Sequence, residues 1–374
     1  MNDKTNGNHI WLIILALCLT AAGGYALGRN SVPDTSTAQQ QLAELNRASM
    51  ERLIVEEGPI YVIGHCSPDS DTVCSAIAYA RLLKLLGFDA RPAVSGAINR
   101  ETAYILQQAG VQIPEELIDA SGLNIFLVDH SEYSQAVEGM ADAHIVGILD
   151  HHGIGTVSTG HQVVYEARPI GATATIIWLD YLNYGLDIDQ QTAHLLLGAV
   201  LSDTGYLTGG TTTQADRQAV KNLAELAEVS DVDAFYQKLH EESLSYEGMT
   251  AMEIIFSDYK EYEAGGFRFG IGLANSINED KSRQLSSLLA ADMEEAFASR
   301  NVDYMYASIG IRENGEKIDY IICANELSRE VFTSAFPNYD EFDGTAYIFR
   351  NGGLGRKTRF VPVFTDYLNA HPHE

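Results

Sequence analysis

Beyond Gly58 the chain alternates short, unbroken apolar runs with longer stretches of helical periodicity. That alternation predicts an α/β domain with a parallel sheet flanked by helices. Pro59 to Gly64 (PIYVIG) reads as a buried strand, His65 to Asp71 as a loop, and Thr72 to Leu86 as a helix ended by Gly87. Asn124 to Val128 reads as a second strand running into Asp129, and His144 to Leu149 as a third running into Asp150, His151 and His152. Gln191 to Leu201 reads as an apolar helix that leads to Ser202, Asp203 and Thr204. Polar clusters thus end four buried elements: HCSPDSD at 65–71, VDHSE at 128–132, DHH at 150–152 and SDTG at 202–205. In open α/β sheets ligands bind beyond the carboxyl ends of the strands, so the four clusters are expected to converge.

Ahead of this region, Ile10 to Gly28 is uncharged and mostly apolar, close to the ~20 residues that a spanning helix needs. It reads as a signal anchor, or as a signal peptide cleaved near Ala21, Ala22 and Gly23. Membrane attachment or export follows as an expectation, with the extracytoplasmic side favoured and a cytoplasmic-facing domain as the alternative. Lys4 is offset by Asp3 and Arg29 by Asp34, so flanking charge says little about orientation. The polar stretch that follows, Asn30 to Gln41, reads as a linker. The domain expectation is therefore a hydrophobic segment at 1–28, a linker at 29–55, a catalytic domain at 56–243 and a second domain at 250–374.

A length of 374 residues, 46% of them hydrophobic, suits two domains better than one core. The net charge of -27, from 24 Lys and Arg against 51 Asp and Glu, argues against wrapping nucleic acid or adhering to anionic lipid through the general field. Such a chain meets an anionic substrate only where metal ions or a local basic cluster reverse the field. Cys18, Cys66, Cys74 and Cys323 have irregular spacing and no second CxxC, which leaves reduced thiols as the reading, without a disulfide framework or a zinc finger.

The residue types in the four clusters suit a pair of cations. His65, Asp69 and Asp71 place an imidazole and two carboxylates on one short loop, and a mixed nitrogen and oxygen set fits Mn²⁺ or Co²⁺ better than a thiolate-seeking metal. Phosphoryl hydrolysis by two metals requires a bridging carboxylate, for which Asp129 is the candidate, and terminal ligands, which Asp203 would complete. Asp150 is expected to orient His151, leaving His152 to hydrogen-bond a phosphate. Taken singly, each residue has a plainer reading: Asp69 and Asp71 as a turn and helix cap, DHH as a solvated loop, Asp203 as a helix end. His130, His144, His161, His194 and His240 have no evident partner and read as ordinary structural histidines.

In order and approximate spacing, HCSPDSD, VDHSE, DHH and SDT resemble the DHH phosphoesterases, and within them the manganese-dependent (family II) inorganic pyrophosphatases. PIGATATII at 169–177, SDYKEY at 257–262 and the GRK of Gly355, Arg356 and Lys357 extend the resemblance, which runs from Gly58 to Val363. It implies an N-terminal parallel-sheet DHH domain and a smaller α/β DHHA2-like domain, with the active site in the cleft between them. His65, Asp69 and Asp129 would hold one metal, and Asp71, Asp129, His151 and Asp203 the other. His152, Lys260, Arg356 and Lys357 would bind the phosphates of pyrophosphate, which a metal-activated water would split. Two Mn²⁺ or Co²⁺ ions, additional Mg²⁺ arriving with the substrate, and a homodimer complete what the resemblance implies.

Cys66, Ser67, Gly153 and Gly355 depart from the family's pattern at positions that would touch substrate, not metal. Two alternatives stand beside pyrophosphate hydrolysis. One is an exopolyphosphatase or another DHH phosphoesterase acting on short polyphosphates or nucleotides; the absence of a GGGH motif counts against the nucleotide-cleaving branch. The other is a non-catalytic, membrane-tethered metal or phosphate-binding module, against which the full ligand set argues.

Overall fold

A computed structural model describes residues 35–313, 316–350 and 352–372. The membrane expectation for Ile10 to Gly28 lies outside these. Among the described residues no helix is long and apolar enough to cross a membrane. The chain divides into two compact units that part between Tyr236 and Gln237.

The first described element, α1, spans Thr35–Met50 within the stretch read as a linker. Ala43, Asn46 and Met50 fall at helical spacing on one face. Ala43 and Met50 are buried, and Asn46 donates to the carbonyl of Asn183 at 2.9 Å. So narrow a stripe hides in a Gln-rich sequence, since the other faces, Leu42 and Leu45 included, are exposed.

The N-terminal unit continues with β1 (Ile60–Ile63), α2 (Ser70–Leu85), β2 (Ala90–Val94), α3 (Arg100–Ala109), β3 (Glu115–Glu116), β4 (Asn124–Val128), β5 (His144–Asp150) and β6 (Val164–Ala167). The helices α4 (Thr173–Asn183), α5 (Gln190–Asp203) and α6 (Gln214–Leu226) follow, then α7 (Val232–Ser243), within which the division between the two units falls. The six strands form one parallel sheet in the order β3-β2-β1-β4-β5-β6. Strand order reverses between β1 and β4, and at such a switch point the helices leave to opposite faces and open a crevice. Ile63 pairs with Leu127, so two residues further on His65 and Asp129 leave neighbouring strand ends. All five residues of β4 are buried, as a strand covered on both faces requires.

The C-terminal unit holds α8 (Ala251–Ser257), β7 (Tyr259–Ala264), β8 (Phe267–Asn275), α9 (Glu279–Ala298), β9 (Tyr304–Glu313), β10 (Glu316–Cys323), α10 (Glu326–Ala335), β11 (Glu341–Phe342), β12 (Tyr347–Phe349) and α11 (Val361–Ala370). Its strands form a mixed sheet in the order β11-β12-β10-β9-β8-β7, in which only β8 and β9 run parallel. Alternation along β9 sends Met305, Ala307, Ile309 and Ile311 to a core with α8 and α9. Tyr304 and Tyr306 go to an aromatic core with Phe332, Phe360 and Phe364 on the other face.

Candidate metal centre

The loop after β1 turns directly into α2. Asp69 is the N-cap of α2, its carboxylate accepting the Thr72 N–H at 3.0 Å, and Asp71 lies in the first turn. The capping reading of this loop is therefore true of Asp69 and compatible with a ligand role, because a carboxylate has lone pairs to spare. Gly64 permits the tight approach: a Cβ there would lie 2.3 Å from the Thr72 methyl. Asp129 follows β4 with φ of 65°, a left-handed backbone that is strained for a residue bearing a side chain.

The Asp129 carboxylate faces two ways. Oδ2 lies 3.5 Å from His65 Nε2 and accepts the Thr72 hydroxyl at 2.7 Å. Oδ1 lies 3.4 Å from His151 Nε2 and accepts the Thr173 hydroxyl at 3.0 Å. His65 Nε2 is also 3.5 Å from Asp69, and His151 Nε2 is 3.3 Å from Asp203, the last residue of α5. Three overlapping donor sets result, His65 with Asp69 and Asp129, Asp71 with His151 and Asp203, and Asp129 with His151 and His152. Asp71 is buried, its two oxygens accepting the N–H groups of Thr173 at 2.6 Å and Ala174 at 2.9 Å at the start of α4.

The orientation of the DHH residues differs from expectation. His151 Nδ1 donates to the carbonyl of Ile170 at 3.1 Å, which turns Nε2 toward the carboxylates, where it offers a lone pair to a cation once its proton has left. Asp150 orients His152 instead, accepting its backbone N–H at 2.9 Å and its ring Nδ1 at 3.0 Å, while Ser131 donates to the other Asp150 oxygen at 3.0 Å. Consecutive residues leaving an extended strand point to opposite sides, so the carboxylate of Asp150 turns away from the ring beside it. His152 is exposed and lines a cavity of about 660 Å³ with His65, Asp69, His130, Ser131 and Asp203.

The charges of this cluster call for cations. Burial, and then the neighbouring carboxylates of Asp129 and Asp203, push the Asp71 pKa well up, and burial with Asp129 and Asp69 raises Asp203 to about 6. Burial alone would lower His65, but Asp129 and Asp69 outweigh it and lift the imidazole to about 10. His151 is likewise opposed by burial and raised to about 10 by Asp129, Asp71 and Asp203. Burial would raise Asp129, yet the nearby His151 and His65 rings and the Thr72 hydroxyl hold it low. Asp71 and Asp129 are buried, and buried carboxylates cost several kcal/mol each unless paired; with Asp69 and Asp203 beside them, two imidazolium charges do not balance the four carboxyl groups. His151 Nε2 is buried without a hydrogen-bond partner, an orphan that a cation would satisfy. Nitrogen and carboxylate donors without thiolate fit divalent Mn²⁺.

Residues 59–200 match the DHH family, N-terminal domain, and residues 237–367 match the DHHA2 domain. The manganese-dependent inorganic pyrophosphatase of Methanothrix thermoacetophila is 33% identical over 306 residues, spanning 81% of this chain and 96% of the relative. That of Bacillus subtilis is 32% identical over 312 residues, 83% of this chain and 98% of its own. A crystal structure assigned to family II inorganic pyrophosphatases, from Methanococcus jannaschii, superposes with a TM-score of 0.53 at 30% identity, covering 83% of this chain and 99% of that one. The chain belongs to the manganese-dependent (family II) inorganic pyrophosphatases.

The basic residues expected to meet the substrate sit in the C-terminal unit of this family member. Lys260 on β7 and Lys357 after Gly355 are exposed, and neither forms an ion pair among the described residues. Arg356 differs: it is buried, and its Nη atoms donate to the Asp258 carbonyl and carboxylate, each at 2.6 Å, and to the Ile271 carbonyl at 3.4 Å. Sequence reasoning missed Thr72 and Thr173, the hydroxyls that hold Asp129. Thr72 lay in plain view beside Asp71, whereas Thr173 is 44 residues from its partner and only the fold joins them. Of the histidines read as structural, His144 and His161 stack at 4.2 Å and bond backbone carbonyls, while His130 packs edge-on against His65 at 6.3 Å.

Proposed function

We propose that this chain hydrolyses inorganic pyrophosphate to two phosphates with Mn²⁺ as its ion, Co²⁺ able to replace it and Mg²⁺ entering with the substrate. The observation that carries the reading is the division of Asp129, one oxygen toward His65 and the other toward His151. His65, Asp69 and Asp129 would hold one cation, and Asp71, Asp129, His151 and Asp203 its neighbour. Such a pair, when bound, supplies Lewis-acid polarisation of phosphoryl oxygens and a water acidic enough to attack at neutral pH.

The chain's own residues do the rest. Thr72 and Thr173 keep the Asp129 carboxylate from rotating out of its shared position. His152, with Nδ1–H fixed on Asp150, turns Nε2 to the cavity, where, when both ring nitrogens carry protons, it can donate to a phosphoryl oxygen and give up the Nε2 proton to the departing phosphate. The amines of Lys260 and Lys357 offset the charge that gathers on the leaving group. Arg356 acts between them as a planar fork, gripping the segment that leads to Lys260 while Lys357 follows it in the chain. The apolar run Ile10 to Gly28 supports membrane attachment or export, which protease protection on intact cells would test.

Purified chain assayed with Mn²⁺, Co²⁺ and Mg²⁺ on pyrophosphate and on tripolyphosphate is the decisive experiment. Release of two phosphates per pyrophosphate, fastest with Mn²⁺, is expected. Absence of pyrophosphate turnover with every metal would end this reading, and preference for tripolyphosphate would move it to the polyphosphatase alternative.

A further inference from the structure

Glu101 belongs to none of the four polar clusters, yet it touches the elements that carry two of them. Its Oε2 accepts the Ser70 hydroxyl at 3.3 Å and the Ser202 hydroxyl at 2.9 Å. Ser70 stands between Asp69 and Asp71 at the start of α2, and Ser202 immediately precedes Asp203 at the end of α5. Ser70 is fully buried, and its Oγ also lies 3.0 Å from the Thr102 hydroxyl. The first turn of α3 presents Glu101 and Thr102 rigidly, because Asn99 caps it by accepting the Thr102 N–H at 2.8 Å. One carboxylate oxygen therefore ties the amino end of α2 to the carboxyl end of α5.

We propose that Glu101 is a positioning residue of the metal centre, fixing the distance between Asp71 and Asp203 and so the affinity for the cation that those two share with His151. The proposal rests on the metal reading above. Charged acceptors make the stronger hydrogen bonds, and groups that orient metal ligands from behind govern affinity without touching the ion. The effect is one-sided. His65 and Asp129 hang from the ends of β1 and β4, and Asp129 is held by Thr72 and Thr173, so only Asp69 of the first donor set lies beside a residue bonded to Glu101.

Calorimetric titration of the full chain with MnCl₂ tests this. In Glu101→Ala one of two Mn²⁺ binding events should weaken by about 10- to 100-fold, the other changing by less than about 3-fold. Glu101→Gln, which keeps an oxygen acceptor, should recover most of the affinity. Ser70→Ala combined with Ser202→Ala, which removes both donors and keeps the carboxylate, should reproduce the Glu101→Ala loss. Wild-type Mn²⁺ affinity in either Glu101→Ala or the double serine variant would overturn the proposal, as would a lower melting temperature of the metal-free chain with affinity intact. A wild-type chain that bound no Mn²⁺ would instead remove the metal reading itself, and this inference with it.

Discussion

Asp150 holds both the backbone N–H and the ring Nδ1 of His152, at 2.9 and 3.0 Å, while the neighbouring His151 hangs from the carbonyl of Ile170. Asp150→Asn should therefore injure the proton-handling ring and spare the ligand ring. We expect kcat for pyrophosphate to fall by roughly 10- to 100-fold, as for other orienting carboxylates, with Mn²⁺ affinity within about 3-fold of wild type. Calorimetry beside steady-state kinetics decides it: a large loss of Mn²⁺ affinity would mean that Asp150 serves His151 after all.

The convergence of the candidate ligands was legible because each lies at or near the end of a buried strand or helix, and such elements are readable from apolar runs alone. Asn124 to Val128 appears in the structure with the bounds read from the sequence. The helix after the first loop begins two residues earlier than read, at Ser70, because Asp69 caps it. What escaped depends on pairings distant in sequence. Ser202 meets Glu101 across 101 residues, and no local pattern marks either. The helix Thr35–Met50 escaped for another reason: its buried stripe is narrow, and composition outvoted periodicity.

Arg356 and Asp258 separate bracing from substrate contact. If the guanidinium acts by holding the segment before Lys260, Asp258→Ala and Arg356→Ala should each raise KM for pyrophosphate several-fold, and the double variant should be no worse than the more damaging single one, since residues in one contact are non-additive. Arg356→Ala should also destabilise the chain by roughly 2–3 kcal/mol, because the buried Ile271 carbonyl loses a donor. Activity lost in Arg356→Ala but untouched in Asp258→Ala would assign the guanidinium to the phosphate itself.

Metal binding should be strongly pH-dependent. With His65 and His151 each raised to about 10 in the metal-free chain, both imidazoles carry a proton at pH 8 that a cation must displace. Mn²⁺ uptake at pH 8 should then release about two protons, and affinity should fall as pH is lowered from 9 to 7. The sign for the metal-free chain is opposite: these raised values add stability that is fully present below the ordinary value of 6.5 and lost as pH rises through 10. Titration in buffers of different ionisation enthalpy counts the protons, and a pH-independent affinity with none released would refute the charge state drawn for the two rings.

Asp180, on α4 and remote from the ligands, gives a stability prediction of its own. It is buried, and burial together with the carboxylate of Glu166 raises its pKa from 3.8 to about 8. The folded chain thus keeps a proton on this carboxyl that the unfolded chain has already released. Its contribution to stability is complete below 3.8 and drains away as pH rises through 8, where the ionised form must be buried. Asp180→Asn removes the titration while keeping the shape. The variant should match wild type near pH 4 and exceed it at pH 9 by roughly 1–3 kcal/mol. Denaturant unfolding of the metal-free chain at both pH values measures the difference. A stability gap that stays constant between them would show that Asp180 does not hold its proton in the folded state.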